Sequence, residues 1–156
     1  MKYTRLTKEQ FEELHREFAE FLAVQGIDKI KWEQLKTEEP EIVEQHLDIF
    51  SDIIWESALD KSEFLEHFSK NHIFMFRFTE NKAESVVIYC ANPNIDLLTQ
   101  EGLVWLSENI SSDQIEIKQG HKSFEDKNSA IFTLIRQGAL ITNGNLYKQI
   151  KIALGI

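Results

Sequence analysis

Cysteine is nearly missing from this chain of 156 residues: Cys90 is the only one. A single thiol excludes an internal disulfide framework and fits a reducing compartment, so a cytoplasmic location is expected. Proline occurs twice and glycine six times, too sparsely for a flexible or polyproline linker between domains. No apolar run approaches the roughly 20 residues of a membrane-spanning helix. The opening MKYTRLTKEQF has no apolar stretch behind its basic residues, so no signal peptide is expected. Positive charge is also scarce, with 17 Lys and Arg against 26 Asp and Glu and a formal charge of −9. That balance argues against nucleic acid or an anionic membrane as a partner held by bulk electrostatics.

What remains is ordinary globular material. A hydrophobic share of 42% with 28% charged residues is enough apolar content for a folded core and too much for disorder. The length suits one domain, 1–156. Acid is concentrated early: residues 1–70 hold 17 acids and 9 bases, whereas residues 114–156 hold 3 acids and 6 bases.

The segment Glu39–Leu59 organises the N-terminal half. Pro40 suits a first helical turn, where its missing N–H is no loss. Ile42, Val43, His46, Leu47, Phe50, Ile53 and Ile54 then recur at three- and four-residue steps, which predicts one buried helical face. Upstream, Thr7 and Gln10 form a capping-box pattern before a helix carrying Phe11, Leu14, Phe18, Phe21 and Leu22 and stopping at Gly26. Asp28 caps a short helix with Ile30, Trp32 and Leu35, and Lys61–Phe68 reads as further helical turns. From Asn71 the character changes. His72–Phe78 and Ser85–Ala91 are β-branched and aromatic runs that predict a hairpin. Ile95–Asn109 reads as a helix apolar nearly all round, Gln114–Lys118 as a half-exposed strand, and Gly120–Ser123 as a turn. Asp126–Gln137 predicts a helix, Ala139–Thr142 a short strand and Asn145–Leu154 a last helix. The expected fold class is therefore α+β: a helical part over about 1–70, packed on a small three- or four-stranded sheet with C-terminal helices over about 71–156.

The opening MKYTRLTKEQFEELHREFAEFLAVQGI, with Phe50–Glu56 (FSDIIWE) and Leu65–Asn71 (LEHFSKN), resembles a bacterial family of small acidic proteins of unknown function. The resemblance implies a single stand-alone domain and carries over no activity, ligand or catalytic residue.

Several constellations carry possible chemistry. Glu12 and His15 have the Glu-x-x-His spacing of bundle metal sites, but no second such pair follows; a solvated Glu beside a packed His is the simpler reading. His46 falls inside an apolar face, where a histidine usually bonds a backbone carbonyl. Cys90, His121 and Asn143 each fall at or near a predicted strand end. On parallel strands they would meet as nucleophile, base and orienting group, the basis of a hydrolase alternative on the edge of the C-terminal sheet. Glu116 and Lys118 have the Glu-x-Lys spacing of metal-dependent nucleases, with Asp96 or Asp113 as the further acid.

The feature that stands out is an acidic stripe on the Glu39–Leu59 helix. Glu44, Asp48, Asp52 and Glu56 lie at one-turn spacing with Trp55 among them, and an exposed indole calls for something to cover it: another part of this chain, first of all the short helix of Trp32 and Leu35, a second copy, or a partner. The expected function is a non-enzymatic interaction module that uses this face. Its partner would be another protein, basic by charge complementarity, or a second copy; no cofactor is implied.

Overall fold

A computed structural model describes residues 1–156. The chain forms two compact units, Met1–Asp60 and Lys61–Ile156.

The first unit is helical. Residues 1–7 run without regular structure and end at Thr7, whose hydroxyl accepts from Gln10 N while the Gln10 side chain accepts from Thr7 N. This reciprocal capping box starts helix α1 (Lys8–Glu13). The single helix expected from Phe11 to Gly26 is interrupted: Leu14 leaves helical geometry, and α2 (His15–Val24) follows. At the break the His15 ring donates through Nδ1 to the Glu12 carbonyl, 3.0 Å away. That bond satisfies a carbonyl close to the end of α1. Asp28 caps α3 (Lys29–Glu38) by accepting from Lys31 N.

Helix α4 (Pro40–Asp60) is the long element of the unit. Its Val43 joins Leu22, Ile27, Trp32 and Leu35 in a core flanked by Phe18, Phe21, Ile42 and Leu47. Phe18 packs edge-on against Phe50 and Trp32, with ring centroids 5.0 and 5.4 Å away. His46 sits between the Phe21 and Trp32 rings and donates through Nδ1 to the Ile42 carbonyl at 2.8 Å. The histidine is thus half-buried and packed between rings at the margin of the core. Ile53, expected on the buried face, is half exposed; the buried side of α4 instead includes Ser51.

The second unit holds a five-stranded, wholly antiparallel sheet in the order β4-β3-β2-β1-β5. Its strands are β1 (Phe64–Phe68), β2 (His72–Phe78), β3 (Lys82–Cys90), β4 (Ile115–Ser123) and β5 (Leu140–Thr142). The β2–β3 hairpin is as expected, with register His72↔Tyr89 to Phe78↔Ala83. Strand β1 corrects the helical reading of Lys61–Phe68. The segment lies between β2 and β5, and both its edges are hydrogen-bonded, so long-range pairing overrides a helix-compatible local pattern. It is also the reason for five strands instead of three or four. The expected turn at Gly120–Ser123 is likewise strand, because β4 continues its pairing with β3 as far as Ser123↔Lys82.

One sheet face carries Ile73, Met75, Val86 and Ile88 into a core with Leu97, Leu106 and Tyr147. Helices α5 (Gln100–Glu108) and α7 (Asn145–Leu154) supply Leu106 and Tyr147. Helix α5 begins at Gln100 rather than Ile95, capped by Thr99. It is less buried than its composition predicts, since Val104 is exposed, as is Leu98 before it. Helix α6 (Lys127–Arg136) is capped by Asp126. Gly144, before α7, has φ +79°, and an added Cβ would stand 2.4 Å from the Phe64 ring. Both the turn and the close approach therefore require glycine. No helix is long and apolar enough to cross a membrane.

Ser51 is the most demanding polar group of the first unit. Fully buried, its hydroxyl donates to the Leu47 carbonyl (2.7 Å) and accepts from Leu6 N (3.0 Å). Ser51→Ala leaves the Leu6 N–H without its acceptor, and thermal unfolding should show a loss of about 1–3 kcal/mol.

Candidate functional site

The acidic stripe of α4 is occupied by the chain itself. Residues 2–6 lie along it as a basic segment bent at Tyr3, and each of its carboxylates takes part. Asp52 accepts from two successive backbone amides, Lys2 N at 2.7 Å and Tyr3 N at 2.9 Å. Arg5 donates to Asp48 at 2.8 Å through Nε and 2.6 Å through Nη2, and reaches Glu44 through Nη1. Glu56 accepts from the Tyr3 hydroxyl and pairs with Lys2 at 3.3 Å. Leu6 is held at the far end by Ser51. Tyr3 and Leu6 are buried, while the charged groups between them keep partial access to water.

The electrostatics follow from this arrangement. Burial, together with the hydrogen bond to Glu56, pushes the Tyr3 phenol up to about 12. Asp48 and then Glu44 raise the Arg5 guanidinium further above its ordinary value. Trp55 is half-buried, with the Tyr3 ring 6.4 Å away and tilted by 35°. Glu44, Asp48, Asp52, Trp55 and Glu56, brought together by helical spacing, thus form one surface. Sequence reading missed that its complement is Lys2-Tyr3-Thr4-Arg5-Leu6. The available signal was the charge and aromatic pattern of those five residues, opposite in sign to the stripe.

The hydrolase constellations fare differently. Cys90 is buried at the end of β3 opposite Ile115, whereas His121 lies within β4 opposite Glu84, six residue pairs along the ladder. At about 3.4 Å per residue that is about 20 Å. Asn143 follows β5, at the opposite edge of the sheet from β4. The parallel arrangement that would have gathered the three is absent, because every pairing is antiparallel. His121 instead ends a cross-strand row with Glu84 and Arg77. Glu84 accepts from the Tyr147 hydroxyl at 2.9 Å and pairs with Lys151 at 3.6 Å.

Glu116 and Lys118 pair with each other at 3.4 Å on an exposed strand face. Across the ladder they meet Tyr89 and Val87, not a carboxylate. No group of three or more His, Cys, Asp or Glu side chains is placed to hold a metal ion.

The same sheet face does present a feature that sequence reading passed over. Asn71, His72, Phe74, Val87, Tyr89, Glu116 and Lys118 line an open hollow of about 490 Å³. The His72 ring stacks on Phe74 at 5.4 Å and lies 4.8 Å from Tyr89, with its Nδ1 2.9 Å from Asn71 Oδ1. The signal was the alternation in HIFMFRF, which puts His72, Phe74, Phe76 and Phe78 on the face opposite Ile73 and Met75.

Residues 1–155 match DUF6495, a family of unknown function. The chain belongs to that family. The DUF6495 match spans both compact units and includes the arm at residues 2–6, the acidic stripe and the sheet-face hollow. No curated protein and no solved structure matches the chain.

The Tyr147–Glu84 bond gives a pH-dependent test. That bond, joined by Lys151, lowers the Glu84 carboxyl below its ordinary value. A depressed folded-state value adds stability above the unfolded-state value, and this is lost as pH falls through the folded-state one. Tyr147→Phe should therefore lower the melting temperature at neutral pH, and its deficit should shrink as pH is lowered through the carboxylate range.

Proposed function

We propose that the protein is a non-enzymatic interaction module of the cytoplasm, and that the acidic face of α4 reads a short basic segment of another protein. The observation that carries this reading is the way the face holds residues 2–6. Two successive backbone amides on Asp52 recognise a bent main chain whatever its side chains. The Arg5 fork on Asp48 and Glu44 adds charge and register. Tyr3, near Trp55, and Leu6 provide apolar anchors at the two ends. A partner segment would need the same order: a basic residue, an aromatic, a spacer, an arginine and an apolar residue. The match to one family over residues 1–155 supports treating the two units as one working piece.

A resident segment changes the energetics of such binding. A tethered competitor acts at an effective concentration of about millimolar or more, so a partner gains access as the segment lifts off. The full chain carrying Lys2→Ala, Tyr3→Ala and Arg5→Ala should therefore bind a synthetic peptide of residues 1–7 at least about tenfold more tightly than the parent chain does. That binding should weaken with added salt and vanish when Asp48→Lys is included. Calorimetry showing no peptide binding by the triple variant at low salt would sink the reading.

A further inference from the structure

We propose that the outer edge of β4 pairs with β4 of a second copy, antiparallel about a twofold axis through Gln119, to join two sheets into one. This proposal does not rest on the acidic face of α4.

The argument begins with hydrogen-bonding direction. In an antiparallel ladder a residue turns its N–H and C=O to the same side, and successive residues alternate. Ala91 N donates to Gln114 O, and Phe124 N donates to Asn81 O. Even-numbered residues of β4 therefore face β3. The odd-numbered Ile117, Gln119 and His121 turn their backbone groups away from the sheet, at an edge no other strand of the chain covers. Natural proteins blunt such edges with proline, bulges, very short strands or charged side chains. The charges of β4, Glu116, Lys118 and Lys122, are of both signs, so they disfavour some registers and favour another. Strand β5, at the other edge, is three residues long. Strand β4 has nine, contains no proline, and pairs with β3 through nine consecutive partners without a bulge.

The side chains then choose the register. Only odd residues offer outward groups, so the axis of a twofold pairing must pass through a residue. Through Gln119, all nine residues overlap. Glu116 then stands against Lys122 of the second copy, twice per dimer, and Lys118 against Gly120. Moving the axis one residue to Lys118 sets that lysine against itself. Moving it to Gly120 sets Lys118 against Lys122, twice. An axis through Ile117 restores an attraction, Glu116 with Lys118, but only five residues overlap. Full overlap and opposite charges coincide in one register alone. Glu116, Lys118, Gln119, His121 and Lys122 are all exposed, as the pairing requires.

The pairing also completes the sheet-face hollow. Glu116 and Lys118 form its rim on β4, and the second copy brings Lys122 beside Glu116 on that face. The aromatic floor of His72, Phe74 and Tyr89 then acquires a wall it lacks in one copy.

Crosslinking of the full-length chain tests the register directly. Hydrogen-bonded antiparallel partners have Cα atoms about 5.5 Å apart, inside the disulfide range. Gln119→Cys should therefore form an intermolecular disulfide under mild oxidation. His121→Cys, whose two copies would stand about 14 Å apart, should not, and the buried Cys90 stays silent in both. In sedimentation equilibrium the parent chain should dimerise. Gln119→Pro removes only an outward N–H and should remain folded but monomeric. Glu116→Lys should weaken association roughly tenfold, and adding Lys122→Glu should restore it. A parent chain monomeric at its highest soluble concentration overturns the proposal. So does crosslinking of Gln119→Cys no faster than that of His121→Cys, or a charge-swapped pair that fails to recover.

Discussion

A backbone amide or carbonyl taken out of water must find a partner, and this demand orders much of the chain. It decides that Phe64–Phe68 is a strand. Leu65 is fully buried, and a buried strand needs both edges hydrogen-bonded; β2 and β5 supply them. The same demand acts on the arm at residues 2–6, which has no regular structure of its own. Its amides at Lys2, Tyr3 and Leu6 are taken up by Asp52 and Ser51 of α4. Side chains do there what a neighbouring strand does in the sheet. At β4 the demand is met on one side only.

The acidic stripe gains a different meaning from this. Carboxylates at one-turn spacing on a helix are commonly a solvated face. Here each has a definite ligand within the chain, and Asp52 binds main chain rather than a cation. Exposed ion pairs contribute little by themselves, and Lys2–Glu56 is of that kind, with both side chains well exposed. The anchoring comes from the buried ends, Tyr3 and Leu6, and from the amides of Lys2, Tyr3 and Leu6. The charges set register and exclude wrong occupants more than they hold the segment down.

Much of the architecture was legible in the sequence because it rests on local signals. The capping box at Thr7, the cap at Asp28, Pro40 opening α4, and the 3.6-residue periodicities of α4, α6 and α7 all place helices where they occur. The His72–Phe78 and Ser85–Ala91 runs gave the hairpin for the same reason. The misread strands share one cause: pairing between distant segments. Lys61–Phe68 is locally compatible with helix and became strand through partners at residues 73–77 and 140–142. Gly120–Ser123 is turn-like in composition and is strand because β3 lies beside it. The stripe on α4 was visible as spacing; its ligand was not, because nothing local links Arg5 to Asp48, 43 residues away. The Cys90, His121 and Asn143 grouping failed on strand direction, which no single strand reveals.

The brevity of β5 has a consequence for how far copies of this chain can assemble. A sheet with two long open edges can add molecules at both, and identical additions then run on without limit, as in fibrils. Here one edge ends in three residues, followed after Asn143 by Gly144, the N-cap of α7. A sheet with only one extensible side is a chain terminator by construction: the first edge-to-edge union consumes the only site able to grow. Any association of this kind closes at two copies, a point group and not a filament, and Leu140–Thr142 sets that limit from the side of the sheet that takes no part in the contact.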